Sequence, residues 1–123
     1  MFEISEETLL LRRYYTPFSK YMNPDGTPTS RVFKPREKDQ GKLSVDLKNY
    51  TTYEKSVLDP SKFFMCEVSN KVVLEIGLET IHDPLEDGTN DAHALILTFE
   101  LDDEIKPGLL ARKARIIRSI AEY

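Results

Sequence analysis

The segment from Ala94 to Leu101 alternates along its length in the manner of a β-strand with one apolar face. We predict that its core-facing side chains are those of Leu95, Leu97, Phe99 and Leu101. Because an isolated strand is not stable in water, this segment restricts the chain to folds that contain a β-sheet. The other segments must therefore supply partner strands or the helices that cover them.

Several other segments carry strand or helix signals, and proline or glycine bounds most of them. The further strand predictions are Leu9–Tyr15, the short segments at Val32–Phe33 and Leu43–Val45, and Phe63–Val68. Thr51 and Glu54 have the spacing of a capping box. A short helix over about residues 52–58 is therefore predicted, and Pro60 ends it.

Two more helices are predicted in the second half of the chain. Ser69 and Asn70 indicate the cap of a short helix over residues 72–76, with Gly77 at its end. A strand through residues 72–74 is the alternative. Pro107 predicts the start of a C-terminal helix over residues 107–121. Its apolar face would consist of Leu109, Ile116, Ile117 and Ile120.

These elements predict a single small α+β domain spanning residues 1–123, with a mostly antiparallel sheet of about four to five strands. Short helices and the C-terminal amphipathic helix would complete it. Residues 1–8 are a polar lead, residues 16–30 a long loop around an Asn23-Pro24-Asp25-Gly26 turn, and residues 80–92 another loop. The predicted core consists of Leu9, Leu11, Phe33, Leu43, Val45, Phe64, Leu95, Leu97, Phe99 and Ile117.

The composition narrows the setting and the partners. Hydrophobic residues make up 40% of the 123-residue chain, which is enough for a substantial core. No apolar run of about 18 residues predicts a membrane span, and the acidic N-terminus lacks a signal-peptide pattern. Cys66 is the single cysteine, so no internal disulfide is expected and the predicted location is the cytoplasm. The net charge of -4 argues against general coating of nucleic acid or membrane.

One segment runs against this acidic balance. Between Thr29 and Asp46 the cations Arg31, Lys34, Arg36, Lys38 and Lys42 outnumber the anions Glu37 and Asp39. The pattern predicts two short strands joined by a basic turn at Gly41, and these cations could bind phosphate or carboxylate groups. On this basis we expect a non-enzymatic binding or accessory domain that engages a protein partner or a phosphate-bearing ligand. The alternative is a solvated edge hairpin whose lysines discourage aggregation.

An enzyme is the rival prediction. Arg13, Arg31, Ser44 and His93 would then surround a shared cleft for a nucleotide or RNA. His93 could act as a general base near neutral pH, with Ser44 as the nucleophile. The alternative for His93 is a strand-end histidine hydrogen-bonded to the backbone.

Other functional sites are less well supported by the spacing of the residues. The histidines His82 and His93 lie near Asp83, Asp87 and Asp91, but this spacing fits no metal-ligand pattern, so neither a metal nor another cofactor is predicted. Cys66 is expected to pack as a small apolar side chain. The acidic loop Asp83–Asp91 would suit an immunity or antitoxin-like protein that neutralises a basic toxin. The oligomeric state is left open.

Two resemblances bear on these alternatives. The segments Leu9–Arg13, Ser30–Asp46, Asp83–Leu85 and Asp91–Ile96 together resemble a group of short bacterial proteins that share a Leu-Arg-Arg strand, a Phe-x-Pro segment and a Leu-Ser-Val strand. That resemblance covers about residues 9–99 and implies a bacterial origin and one shared domain, with no activity attached. The order of Arg13, Ser44 and the following helix is also similar in layout to ADP-ribosyltransferase-like toxins, although no matching glutamate is present.

Overall fold

Six antiparallel strands form one sheet in the part of the chain that can be described. The structure is a computed structural model, and it describes residues 4–15, 21–36, 39–97 and 103–123. The strands are β1 (Leu9–Tyr15), β2 (Leu43–Leu47), β3 (Phe63–Ser69), β4 (Glu79–His82), β5 (His93–Leu97) and β6 (Arg115–Ile117). Their order across the sheet is β4-β5-β2-β1-β3-β6, and each neighbouring pair is antiparallel. The predicted α+β class is confirmed, with six strands in these ranges instead of four or five.

Three α-helices accompany the sheet within the same ranges: α1 (Tyr53–Val57), α2 (Asn70–Glu75) and α3 (Ile105–Lys113). Short 3-10 helices cover Ser30–Phe33, Lys48–Tyr50 and Ile120–Glu122. In none of the described helices is there a stretch long and apolar enough to cross a bilayer.

The sheet has an apolar cluster on each face. The larger cluster lies on what we call the core face, where Leu110 of α3 and Val73 of α2 pack with Phe33 over the strands. The smaller cluster lies on the opposite face, here called the second face. It consists of Leu11, Tyr53, Val57, Met65 and Ile117. Helix α1 therefore covers only part of the second face, and Leu95 and Leu97 elsewhere on this face are only half-buried.

The predicted orientation of β5 is wrong. Ala94 and Ile96 are fully buried on the core face, whereas Leu95 and Leu97 are only half-buried on the second face. The register with β2 explains this orientation. Ala94 lies opposite Val45, whose side chain is buried on the core face, so Ala94 and Ile96 share that face. Phe99 and Leu101 lie outside the described residues. Of the other predicted core residues, Leu9 is half-buried, and those confirmed as buried are Leu11, Phe33, Leu43, Val45, Phe64 and Ile117.

The C-terminal helix is shorter than predicted. It ends at Lys113, and Arg115–Ile117 forms strand β6 on the free edge of β3. A strand places Ile116 on the core face and Ile117 on the second face, so both isoleucines contact apolar clusters. A helix continued through residue 121 would leave this edge of β3 unpaired.

The short helices follow the predictions more closely. Helix α1 is capped by Thr52, whose hydroxyl accepts a 3.3 Å hydrogen bond from the Lys55 backbone, so the cap lies one residue later than predicted. Helix α2 is confirmed over the strand alternative, and Gly77 follows it with a φ of +85°, a conformation that favours glycine. Strand β4 occupies the start of the predicted 80–92 loop.

Candidate functional site

The basic segment does not form the predicted hairpin. Ser30–Phe33 is a 3-10 helix, and β2 pairs with β1 and β5 rather than with residues 31–34. The reason is that Val32 and Phe33 are both fully buried. Neighbouring residues of a strand point to opposite faces, so a strand could turn only one of them toward the core-face cluster that contains Leu110 of α3. The helical turn lets both pack against α3.

Some cations of this segment already form ion pairs within the protein. Lys34 forms an ion pair with Glu104, and the Nε of Arg36 lies 3.3 Å from Oδ2 of Asp39. Arg31 and Lys42 are exposed. Lys38 lies outside the described residues. Two of the four described cations therefore already have an anionic partner within the protein, which weakens the case for an anion site here.

The sheet is split between β1 and β2, and this split creates a cleft. Strand β1 pairs with β3 along its whole length, from Leu9 opposite Ser69 to Tyr15 opposite Phe63. With β2 it pairs at Leu10 and Leu11 alone, as far as these two strands are described. The two strands therefore separate at the level of Arg12 and Arg13.

Arg12 spans this split. Its Nη1 donates to the Ser44 carbonyl at 2.9 Å, and its Nε donates to the Val32 carbonyl at 3.1 Å. Burial lowers the pKa of Arg12 to about 10; the charge of Asp39 opposes this, and those of Arg36 and Arg13 add to it. No carboxylate among the described residues lies within ion-pair distance of this guanidinium. Arg12 is thus a half-buried cation bonded to neutral carbonyls, with N–H donors to spare.

The cleft has a volume of about 250 Å³. Its lining residues are Leu11, Arg12, Arg13, Ser44, Val45, Asp46, Leu85, Asn90 and His93. Asp46 lies opposite Leu11 of β1 and opposite His93 of β5, so these three residues share the second face. Side chains two residues apart on a strand point the same way, which places Arg13 and Ser44 on that face as well. The polar side chains of three adjacent strands therefore meet at the floor of one cleft.

Asp46 connects the two walls of the cleft. It is 9% exposed, its Oδ2 accepts a 2.7 Å hydrogen bond from Ser56 of α1, and its Oδ1 accepts a 2.9 Å hydrogen bond from Asn90. Asn90 belongs to the loop that joins β4 to β5. A buried carboxylate is stable only when such donors satisfy it. This one fixes α1 and the β4–β5 loop relative to the strands.

Arg13 is held at the same wall. Its Nη1 donates to the Ser56 carbonyl at 2.9 Å, and its guanidinium carbon lies 5.4 Å from the centre of the Phe63 ring. The carbonyl and the aromatic face together orient a planar group that presents several donors. The remaining N–H groups of Arg13 are available to a ligand in the cleft.

His93 is oriented by Asp83. Its Nδ1 lies 2.8 Å from the Asp83 carbonyl oxygen and 3.2 Å from its Oδ2, and both of these atoms are acceptors. Nδ1 therefore carries the proton, which leaves Nε2 as the acceptor of the neutral ring. The backbone N–H of Asp83 donates in return to the His93 carbonyl at 2.8 Å. The predicted backbone bond of this histidine thus exists, and it fixes the ring beside the cleft.

The structure brings together three of the four residues that the sequence predicted around a shared cleft, and their roles stay predictions. Arg13, Ser44 and His93 line one cleft, whereas Arg31 does not line it. Three contributors were missed, namely Arg12, Asp46 and Asn90. The signal for Asp46 was present in the sequence, because an aspartate that continues the Leu43–Val45 strand is unusual unless it has partners.

The other candidate residues have structural roles. Nε2 of His82 bonds the Asp91 carbonyl at 2.7 Å, and no metal-binding group of three ligands exists among the described residues. Cys66 is buried next to the Tyr14 hydroxyl at 2.9 Å, and burial raises the pKa of its thiol to about 12. A buried neutral thiol behaves as the small apolar side chain predicted for it.

The cleft thus combines cationic donors at the split with carboxylate and imidazole acceptors further along β2 and β5. Comparisons with protein-family models, curated proteins and solved structures find no match for this chain. A function for this chain must therefore be inferred from the geometry and electrostatics of the cleft.

Proposed function

We propose that this protein is a binding domain that holds a small phosphate-bearing ligand in the cleft between β1 and β2. The observation that carries the proposal is Arg12, a half-buried guanidinium whose two hydrogen bonds go to neutral carbonyls and which forms no ion pair with a described carboxylate. Removing a cation from water is costly unless an opposite charge or several acceptors compensate. The two carbonyls that Arg12 contacts compensate only in part, and a bound anion would complete the balance.

Arg13 supports the same proposal. It follows Arg12 directly, lines the same cleft, and is fixed in place by the Ser56 carbonyl and the Phe63 ring. Guanidinium groups match the geometry of phosphate oxygens and bind them through paired hydrogen bonds. The charges of Arg12 and Arg13 act on each other at close range. The positive potential at this end of the cleft thus favours a multiply charged anion.

A small enzyme acting on a nucleotide or RNA is the second candidate, and the convergence of Arg13, Ser44 and His93 favours it. Binding ranks first because Ser44 has no hydrogen bond to His93 in the described structure, and an activated nucleophile needs such a contact. Incubation with nucleotides and short RNA, followed by chromatography, tests for turnover. A product that forms with wild type and not with His93→Ala would place the enzyme first.

For the basic segment, the remaining proposal is that a protein partner binds the exposed cations Arg31 and Lys42. The proposed setting of the protein is the cytoplasm of a bacterium. An immunity-like role for the acidic loop has less support. Asp83 orients His93, and Asp87 accepts hydrogen bonds from Thr89 within its own turn. Both carboxylates thus already have partners within the protein.

Calorimetric titration with inorganic pyrophosphate tests the proposed function. Arg13→Ala should weaken binding by about tenfold or more, because a hydrogen bond to a charged group contributes about 1.5–3 kcal/mol. Arg31→Ala is the matched control, since it removes the same charge from an exposed site outside the cleft. An Arg31→Ala loss equal to or larger than that of Arg13→Ala would move the site to the basic segment.

A further inference from the structure

We infer that the ligand of the cleft is a ribose 5′-phosphate compound, such as a nucleoside monophosphate, whose sugar hydroxyls bind Asp46 and His93. This inference rests on the proposed function, because it takes the arginines as the phosphate site. It adds a second point of recognition at the other end of the cleft, where hydrogen-bond acceptors replace donors.

Asp46 has acceptor capacity left for a ligand. Each of its oxygens accepts one hydrogen bond, from Ser56 and from Asn90. An ionised carboxylate offers about four acceptor positions in total. Both partners are neutral, and no cation among the described residues forms an ion pair with Asp46. The residue lines the cleft, so the spare positions can be reached by a hydroxyl group of a ligand.

His93 provides a second acceptor next to the first. It lies directly opposite Asp46 in the β2–β5 register, and both side chains are on the second face. Cβ atoms of such pairs are about 4.5–5.5 Å apart. Because Asp83 binds Nδ1, the neutral ring has Nε2 as an acceptor. Two neighbouring acceptors suit two neighbouring hydroxyls, as on the 2′ and 3′ carbons of ribose.

The separation of the two ends also fits this ligand class. Leu11 lies opposite Asp46, and Arg13 follows two residues further along β1, where the two strands separate. Two strand residues span about 6.8 Å, which is comparable to the distance from a 5′-phosphate to the ribose diol. An acidic side chain binds ribose hydroxyls in dinucleotide sites elsewhere, and arginine is a frequent phosphate-binding side chain. A cleft of about 250 Å³ holds a sugar phosphate and leaves a base near its opening.

The test is a titration of wild-type protein with adenosine 5′-monophosphate, cytidine 5′-monophosphate, the 2′,3′-dideoxy form of each, and inorganic phosphate. Both ribonucleotides should bind about 10- to 100-fold more tightly than their dideoxy forms, the range for hydrogen bonds to a charged acceptor. Asp46→Asn should remove this difference, while Arg31→Ala should preserve it. The ligand comparison uses unaltered protein, so it decides the question even if Asp46→Asn fails to fold.

The outcomes separate the two proposals. Equal affinities of ribonucleotides and dideoxynucleotides, with phosphate binding retained and lost in Arg13→Ala, would overturn the ribose inference and leave the phosphate site standing. Absence of binding by every phosphate compound would overturn both. A diol preference that persists in folded Asp46→Asn would remove Asp46 from the recognition of the sugar.

Discussion

Replacing Ile96 by alanine should lower the free energy of unfolding by about 3–4 kcal/mol. The side chain is 0% exposed on the core face and lies opposite Leu43, which is also buried. The substitution removes three carbon atoms, which is about 2.4 kcal/mol at ~0.8 kcal/mol for each buried methylene. An unfilled cavity of ~60 Å³ at about 24 cal/mol per Å³ adds ~1.4 kcal/mol. The sum lies within the range of about 2–5 kcal/mol measured for such substitutions.

Leu95→Ala is the matched control, because leucine and isoleucine are isomers and the same number of atoms is removed. Leu95 is half-buried on the second face, where solvent can fill the space that it leaves. Its loss should therefore cost about 1 kcal/mol, roughly half of the ~2.4 kcal/mol transfer contribution, because the side chain is only half-buried. Urea denaturation of wild type and both variants gives the midpoints, and an unchanged slope shows that the unfolded state is comparable. A larger loss for Leu95→Ala than for Ile96→Ala would refute the register and orientation of β5.

Three further predictions concern the C-terminal strand, the buried thiol and the phosphate site. Ile117→Ala should lower the free energy of unfolding by about 2–5 kcal/mol in a denaturation experiment, because this side chain is fully buried. Ile120→Ala should lower it by less than about 1 kcal/mol, because Ile120 is 61% exposed, and equal losses would favour the longer helix. Cys66 should react with a thiol reagent at pH 8 only after unfolding, since the pKa of its thiol is raised to about 12. Because the unfolded thiol ionises near pH 9, its contribution to stability should decrease between about pH 9 and 12. The affinity for pyrophosphate should fall as salt is raised from about 0.05 to about 0.2 M, and Arg13→Ala should reduce this salt dependence more than Arg31→Ala does.

The sequence predicted those parts of the fold that local interactions determine. The Asn23–Gly26 turn, the strand at β3 and the helix at α2 are present as expected. In each case the signal lies within a few residues: a proline and a glycine in the turn, an apolar run, or a cap with a terminal glycine. Such signals do not depend on what the rest of the chain does.

The orientation of β5 and the existence of β6 depended on distant partners. Alternation shows which residues share a face of a strand, but not which face the rest of the protein covers. Ala94 and Ile96 face the core because Phe33 and Leu110 of α3 pack on that face of the sheet. Likewise, Ile116 and Ile117 fit a helical stripe in the sequence, and the free edge of β3 makes them a strand.

The candidate site shows the same division. Arg13, Ser44 and His93 could be selected from the sequence, because their side chains can do chemistry wherever they are placed. The tertiary structure alone decided that they share a cleft, since the cleft exists only where β1 separates from β2. Arg12 and Asp46 gain their importance from burial, and burial is a property of how separate segments pack together rather than of the residues themselves.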